Sequence, residues 1–143
     1  MRKALILMMS AIIGSIALVG CQSAPEPQLQ VNSTQSISGT VSYRERIALP
    51  EGAMVTIVLE DVSLADAPAK VIAKHRFETN GQQVPLSFDL AYDSRKIQER
   101  HRYNVRAKIE VNGRLRFTTD TIVPVVTDSD ATQHVDLRLV GVR

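Results

Sequence analysis

The chain has 143 residues and one cysteine, Cys21, so no disulfide can close within it. It has no tryptophan, and aromatic side chains make up 4% of it. A stacking platform for single-stranded nucleic acid needs several exposed rings. Tyr43, Phe88, Tyr92, Tyr103 and Phe117 instead alternate with polar residues, as core aromatics do. Nucleic acid is therefore not an expected partner. His75, His101 and His134 are isolated, without the His-x-x-x-His or carboxylate spacing of a metal site. No Gly-x-Ser-x-Gly elbow is present, and the seven glycines are scattered instead of forming a phosphate loop. Glu60-Asp61 and Asp128/Asp130 fall at a strand end and in a polar loop, where solvated carboxylates are the ordinary reading. No cofactor, metal or catalytic activity is expected.

The long apolar stretch lies at the start. Arg2 and Lys3 precede Ala4–Ala17, an apolar run interrupted only by Gly and Ser, and Leu18-Val19-Gly20-Cys21 closes it. A basic head, a short apolar body and a small-residue exit describe an export signal that is removed. A transmembrane helix fits less well, because the run falls short of about 20 residues and its downstream flank is polar, not basic. Leu-Val-Gly-Cys resembles the processing site of bacterial lipoproteins. That likeness implies cleavage between Gly20 and Cys21 and acylation of Cys21, which removes the free-thiol question as well. Each buried methylene contributes about 0.8 kcal/mol, so one chain anchors marginally and several anchor durably. Gln22 stands where an inner-membrane retention signal has Asp, and so points to the outer membrane.

Removal of residues 1–20 also changes the charge. The whole chain has 17 Lys+Arg against 15 Asp+Glu, and Arg2 and Lys3 account for the excess. The remaining 123 residues are balanced, which argues against wholesale attraction to nucleic acid or anionic lipid. Their length suits one core. Residues 22–35 are polar, Pro-containing and without periodicity, and read as a tether spanning roughly 40 Å if extended at about 3.1 Å per residue. A first strand docked on the domain is the competing reading.

From Ser36 onward the period is two. Ile37, Gly39, Val41 and Tyr43 share a face, as do Val55, Ile57 and Leu59. A weaker run spans 71–79. Leu86, Phe88, Leu90 and Tyr92 alternate with polar residues, and so do Tyr103, Val105, Ala107, Ile109 and Val111. Leu115 and Phe117 lead into Thr119, and Val135, Leu137 and Leu139 close the series. Seven short half-buried strands predict an all-β domain over 36–143, a single antiparallel sandwich. Leu49-Pro50-Glu51-Gly52, Asn80-Gly81 and Asn112-Gly113 supply turns. Asp93 or Ser94 is placed to cap one helical turn ending at Ile97.

A two-residue turn at Asn112-Gly113 would oppose the inward Val111 to the outward Arg114. A three-residue loop with Gly113 in a bulge avoids this. It predicts Glu110 opposite Arg114, Ile109 opposite Leu115, Ala107 opposite Phe117, and hence Lys108 opposite Arg116. Residues 95–116 also hold eight basic side chains against two acidic ones. Arg102, Arg106, Lys108, Arg114 and Arg116 are the candidate basic binding face; a solvated outer face is the plainer alternative.

Short segments along the whole domain carry a family likeness. Leu49–Ala53, Leu59–Ser63 with Asp66–Ala69, Gly81–Pro85, Phe88–Leu90 with Tyr92-Asp93, His101–Ala107 and Gly113–Asp120 resemble YbaY-type lipoproteins. That group is similar to the YscW-like domain, whose members include pilotins that help an outer-membrane secretin reach its membrane and assemble. The likeness brings no catalytic residues. It implies a non-enzymatic, lipid-anchored outer-membrane protein facing the periplasm that binds another envelope component, with a secretin-like protein as one partner. A module binding a polyanionic glycan or glycolipid through 95–116 is the second reading. A hydrolase site assembled from distant loops is the third.

Overall fold

The computed structural model describes residues 32–143; the expected export segment, the Gly20–Cys21 junction and residues 22–31 lie outside the described residues. Eight strands follow in order: β1 Thr34–Tyr43, β2 Met54–Asp61, β3 Lys70–Glu78, β4 Leu86–Asp93, β5 Tyr103–Val111, β6 Arg114–Thr118, β7 Pro124–Val125 and β8 His134–Gly141. Each alternating run contains a strand. The first begins at Thr34, two residues before the predicted start, and β7 was not foreseen. Among the described residues the one helical element is the 3-10 turn Ser94–Lys96, capped by Asp93 through Arg95 N–H.

The connectivity corrects the antiparallel sandwich. The strands form one mixed sheet in the order β3-β2-β5-β6-β8-β1-β4, with β7 beside β5. β1 and β8 run parallel, Ser38 opposite His134 through Tyr43 opposite Leu139. The sheet curls into a near-barrel. The strand ladder from its β1-β4-β8 part to the rest is short, Phe117↔Gly141 and Thr118↔Val140, and β3 and β4 remain unpaired with each other at the two ends. Tyr43 and Phe117 stack where the parts meet, centroids 4.1 Å apart and 6° from parallel, with Tyr43 Oη donating to the Ile47 carbonyl.

The core fills the concave side. Ile37 and Val41 from β1, Val55, Ile57 and Leu59 from β2, and Val105 and Ile109 from β5 are fully buried. Leu86, Phe88, Leu90 and Tyr92 line β4, and Val135, Leu137 and Leu139 line β8. At Gly39 the parallel strands approach so closely that an added Cβ would lie 1.7 Å from the Val135 carbonyl oxygen. No side chain fits there, so the glycine in the first apolar run is a requirement of the β1–β8 contact.

The expected hairpin register is wrong. Val111 pairs directly with Arg114 across a two-residue turn, Asn112 (φ 51°) and Gly113 (φ 75°). Those positive angles match the twist of the flanking strands. The face conflict is relieved one step later: Glu110 opposes Leu115, Ile109 opposes Phe117, and Arg116 is the extra residue of a bulge. The bulge leaves Leu115 exposed while Phe117 returns to the core. Lys108 consequently faces Thr118, not Arg116, and the like-charge opposition does not arise.

Candidate functional site

β2 lies between β3 and β5, and its outer side chains are shielded in a way alternation alone does not foresee. Thr56 pairs with Arg76 of β3 on one side and Lys108 of β5 on the other; Val58 pairs with Lys74 and Arg106 in the same manner. With strands about 4.8 Å apart, the four long basic side chains form two walls over a floor of Thr56 and Val58. The result is an open groove of about 550 Å³, with Glu60 and Glu110 also lining it. Arg106 stands 4.0 Å from Glu60 and Lys108 3.2 Å from Glu110. Lys74 and Arg76 make no salt bridge among the described residues. Thr56 on the floor retains only 3% exposure, and its buried Oγ1 has no hydrogen-bond partner.

The predicted basic face is thus divided. Arg106 and Lys108 enter this groove. Arg102 lines a different, more apolar one of about 580 Å³ with Val62, Tyr103, Ile122 and Val125. Arg116 borders a small recess beside Ile47 and Phe117, and Arg114 sits on the β6 edge, exposed. Lys74 and Arg76 were missed, since their weakly alternating strand gave no reason to set them beside β5. Only the β3-β2-β5 pairing does so.

A second polar cluster lies at the far end of β2. His101 Nδ1 approaches Asp61 Oδ2 at 2.6 Å, and Ser63 donates to Asp61 Oδ1 from both backbone N–H and Oγ. Arg102 N–H donates to Ser63 Oγ, and Thr127 Oγ1 donates to the His101 carbonyl. Burial pushes the Asp61 carboxyl up, but the His101 and Ser63 hydrogen bonds outweigh it and hold it at about 2. This carboxylate is a structural clasp, not the solvated group expected for Glu60-Asp61. Ser63 and His101 both bond Asp61 and not each other, so the trio has no activated nucleophile.

Asp128 is likewise committed: the Thr132 hydroxyl and backbone N–H tie it into a compact loop, and that bonding lowers its pKa. Ser38 Oγ does meet His134 Nδ1 at 3.1 Å, with Asp136 3.8 Å from the other ring nitrogen. His134 and Asp136 are 68% and 70% exposed on the outer face of β8. They line none of the described grooves. A hydrolytic pair needs a water-excluding site and oxyanion donors, and this one has a flat wet strand. Among the described residues no cluster of His, Cys, Asp and Glu is arranged to hold a metal.

The described residues form a curled, nearly all-β domain with a polar groove on its outer face. The chain belongs to the YscW family of type III secretion system lipoprotein chaperones, whose model matches residues 32–139. It is 37% identical over 154 aligned residues to the uncharacterized lipoprotein YbaY of Escherichia coli (strain K12), covering 97% of this chain and 80% of that one. Among solved structures it is similar to an alternative pilotin from the type II secretion system of Vibrio cholerae. That match has a TM-score of 0.76 and 65% identity over 77% of this chain and 98% of the pilotin chain.

Proposed function

We propose that this chain is a pilotin-like assembly chaperone: an outer-membrane lipoprotein, cleaved between Gly20 and Cys21 and acylated at Cys21, that escorts a secretin-like envelope protein. The observation that carries this reading is the 65% identity across nearly the whole of a type II secretion pilotin. The Leu18–Cys21 layout and Gln22 support the anchor and its membrane, and the polar stretch after Cys21 gives the domain reach into the periplasm. The free edges of β3 and β4 offer backbone donors and acceptors to an extended partner segment. Deleting the gene, or replacing it with Cys21→Ser, is expected to shift the secretin from outer-membrane multimers to inner-membrane or degraded material. Unchanged secretin multimers in fractionated envelopes of the deletion strain would overturn the role. Unchanged multimers with Cys21→Ser alone would overturn the need for the anchor.

A further inference from the structure

We propose that the β3-β2-β5 groove is a binding site for a phosphomonoester carried on a sugar. Three independent features converge on it. The first is charge: Lys74, Arg76, Arg106 and Lys108 face Glu60 and Glu110, leaving a formal +2, and a phosphomonoester carries about −1.5 to −2 near neutral pH. The second is the donor set. Arg76, Thr56 and Lys108 lie in one register row, with Lys74 and Arg106 flanking Val58 in the next. A compact tetrahedral anion above Thr56 therefore meets guanidinium and ammonium groups from both sides, and arginine and lysine both suit phosphate oxygens. The third is Thr56, which lines the groove and whose covered hydroxyl lacks a partner. A buried unsatisfied hydroxyl costs about 1–3 kcal/mol, and a ligand oxygen that reaches it as the flexible Arg76 and Lys108 side chains beside it part removes that cost.

The same geometry disfavours an extended acidic peptide as occupant. β2 exchanges its backbone hydrogen bonds with β3 on one side and β5 on the other, so no main-chain ladder remains for a peptide lying over it. Recognition there is by side chains converging on a point. The groove's volume leaves space beyond the phosphate for a polar substituent, and its cationic side chains share the lining with Val58, Val71 and Ala107. The ligand class is thus a phosphorylated sugar, either free or as the head group of a glycolipid.

Calorimetric titration of the full chain, extracted from membranes in a non-ionic detergent, tests this. The probes are inorganic phosphate, glucose 1-phosphate, and detergent micelles doped with a monophosphorylated glycolipid or its dephosphorylated form. Saturable binding of a phosphorylated probe is expected, with affinity falling as salt rises and falling about tenfold in Thr56→Val, the loss of one charge-assisted hydrogen bond. Arg76→Gln is expected to weaken binding several-fold and flatten the salt dependence. Binding of glucose 1-phosphate identifies a soluble sugar phosphate; binding only of phosphorylated glycolipid identifies a head group. Thr56→Val removes an unsatisfied group, so its melting temperature at or above that of the parent shows that lost binding is not lost folding. No saturable heat with any phosphorylated probe, equal binding of the dephosphorylated glycolipid, or affinity unchanged in Thr56→Val each overturns the proposal.

Discussion

The two parts of the near-barrel treat their outer faces differently. On β4 through Tyr92 and on β8 through Val140 burial alternates cleanly, each inward residue covered and each outward one wet. The β1–β8 outer row ends in exposed side-chain pairs, Ser38 with His134 and Thr40 with Asp136. On β2 the alternation breaks, because Thr56 is as buried as the core residues on either side of it. The cause is the neighbours: β2 lies between β3 and β5, whose long basic side chains roof its outer face, whereas β1 turns Ser38, Thr40 and Ser42 outward and β8 sets one long basic side chain, Arg138, beside them. One part therefore behaves as a half-wet sheet, and the other presents a sheltered polar surface.

Several changes break or sharpen that contrast. The largest effect is expected at the parallel joint of the half-wet part. Gly39→Ala drives a methyl into the Val135 carbonyl, and separating β1 from β8 should cost about 3–5 kcal/mol or abolish folding. A denaturant titration showing a loss under about 1 kcal/mol would mean that the strands part easily.

Asp61 comes next. Its pKa is depressed from 3.8 to about 2, so its stabilising bonds are complete above pH 3.8 and are lost as pH falls through about 2. Asp61→Asn should cost about 2 kcal/mol at neutral pH and flatten the decline in stability over that acid window. An unchanged acid transition in a pH series of melts would rule the clasp out.

The same substitution on the two outer faces should then have opposite signs. Thr56→Val removes an unsatisfied hydroxyl and should stabilise by about 1 kcal/mol. Thr40→Val removes a 2.8 Å exposed hydrogen bond to Asp136 and should cost about 0.5 kcal/mol. Equal shifts in chemical denaturation would erase the distinction between the faces. Smallest of all, Lys108→Gln breaks an exposed pair with Glu110 and should change stability by less than about 0.5 kcal/mol.

Local pattern carried far in this chain. Period-two alternation located the seven main strands within a residue or two, because a half-buried strand must alternate whatever its partner. The Asp93 cap was readable for the same local reason. Parallel pairing of β1 with β8 was not, since it joins strands about a hundred residues apart and its trace in β1, Gly39, does not name the partner strand. The hairpin erred for a subtler reason. Face conservation correctly demanded a bulge, but chain sterics placed it at Arg116 and left Asn112-Gly113 free to form the tighter turn. Half of the basic groove, Arg106 and Lys108, was visible as alternation on β5; Lys74 and Arg76 became its other wall only through pairing.

Residue order alone was enough to specify a chain of alternating strands, its turns and a charge balance outside residues 1–20, and it is the whole basis of the proposed lipid attachment at Cys21. These rest on short-range rules: apolar period, turn chemistry and the layout of an export segment. Which basic residues share a groove, which hydroxyl lies beneath them, and which carboxylate is buried beside a histidine were set by packing. Those features depend on strand order and register, where long-range contacts outweigh local preference.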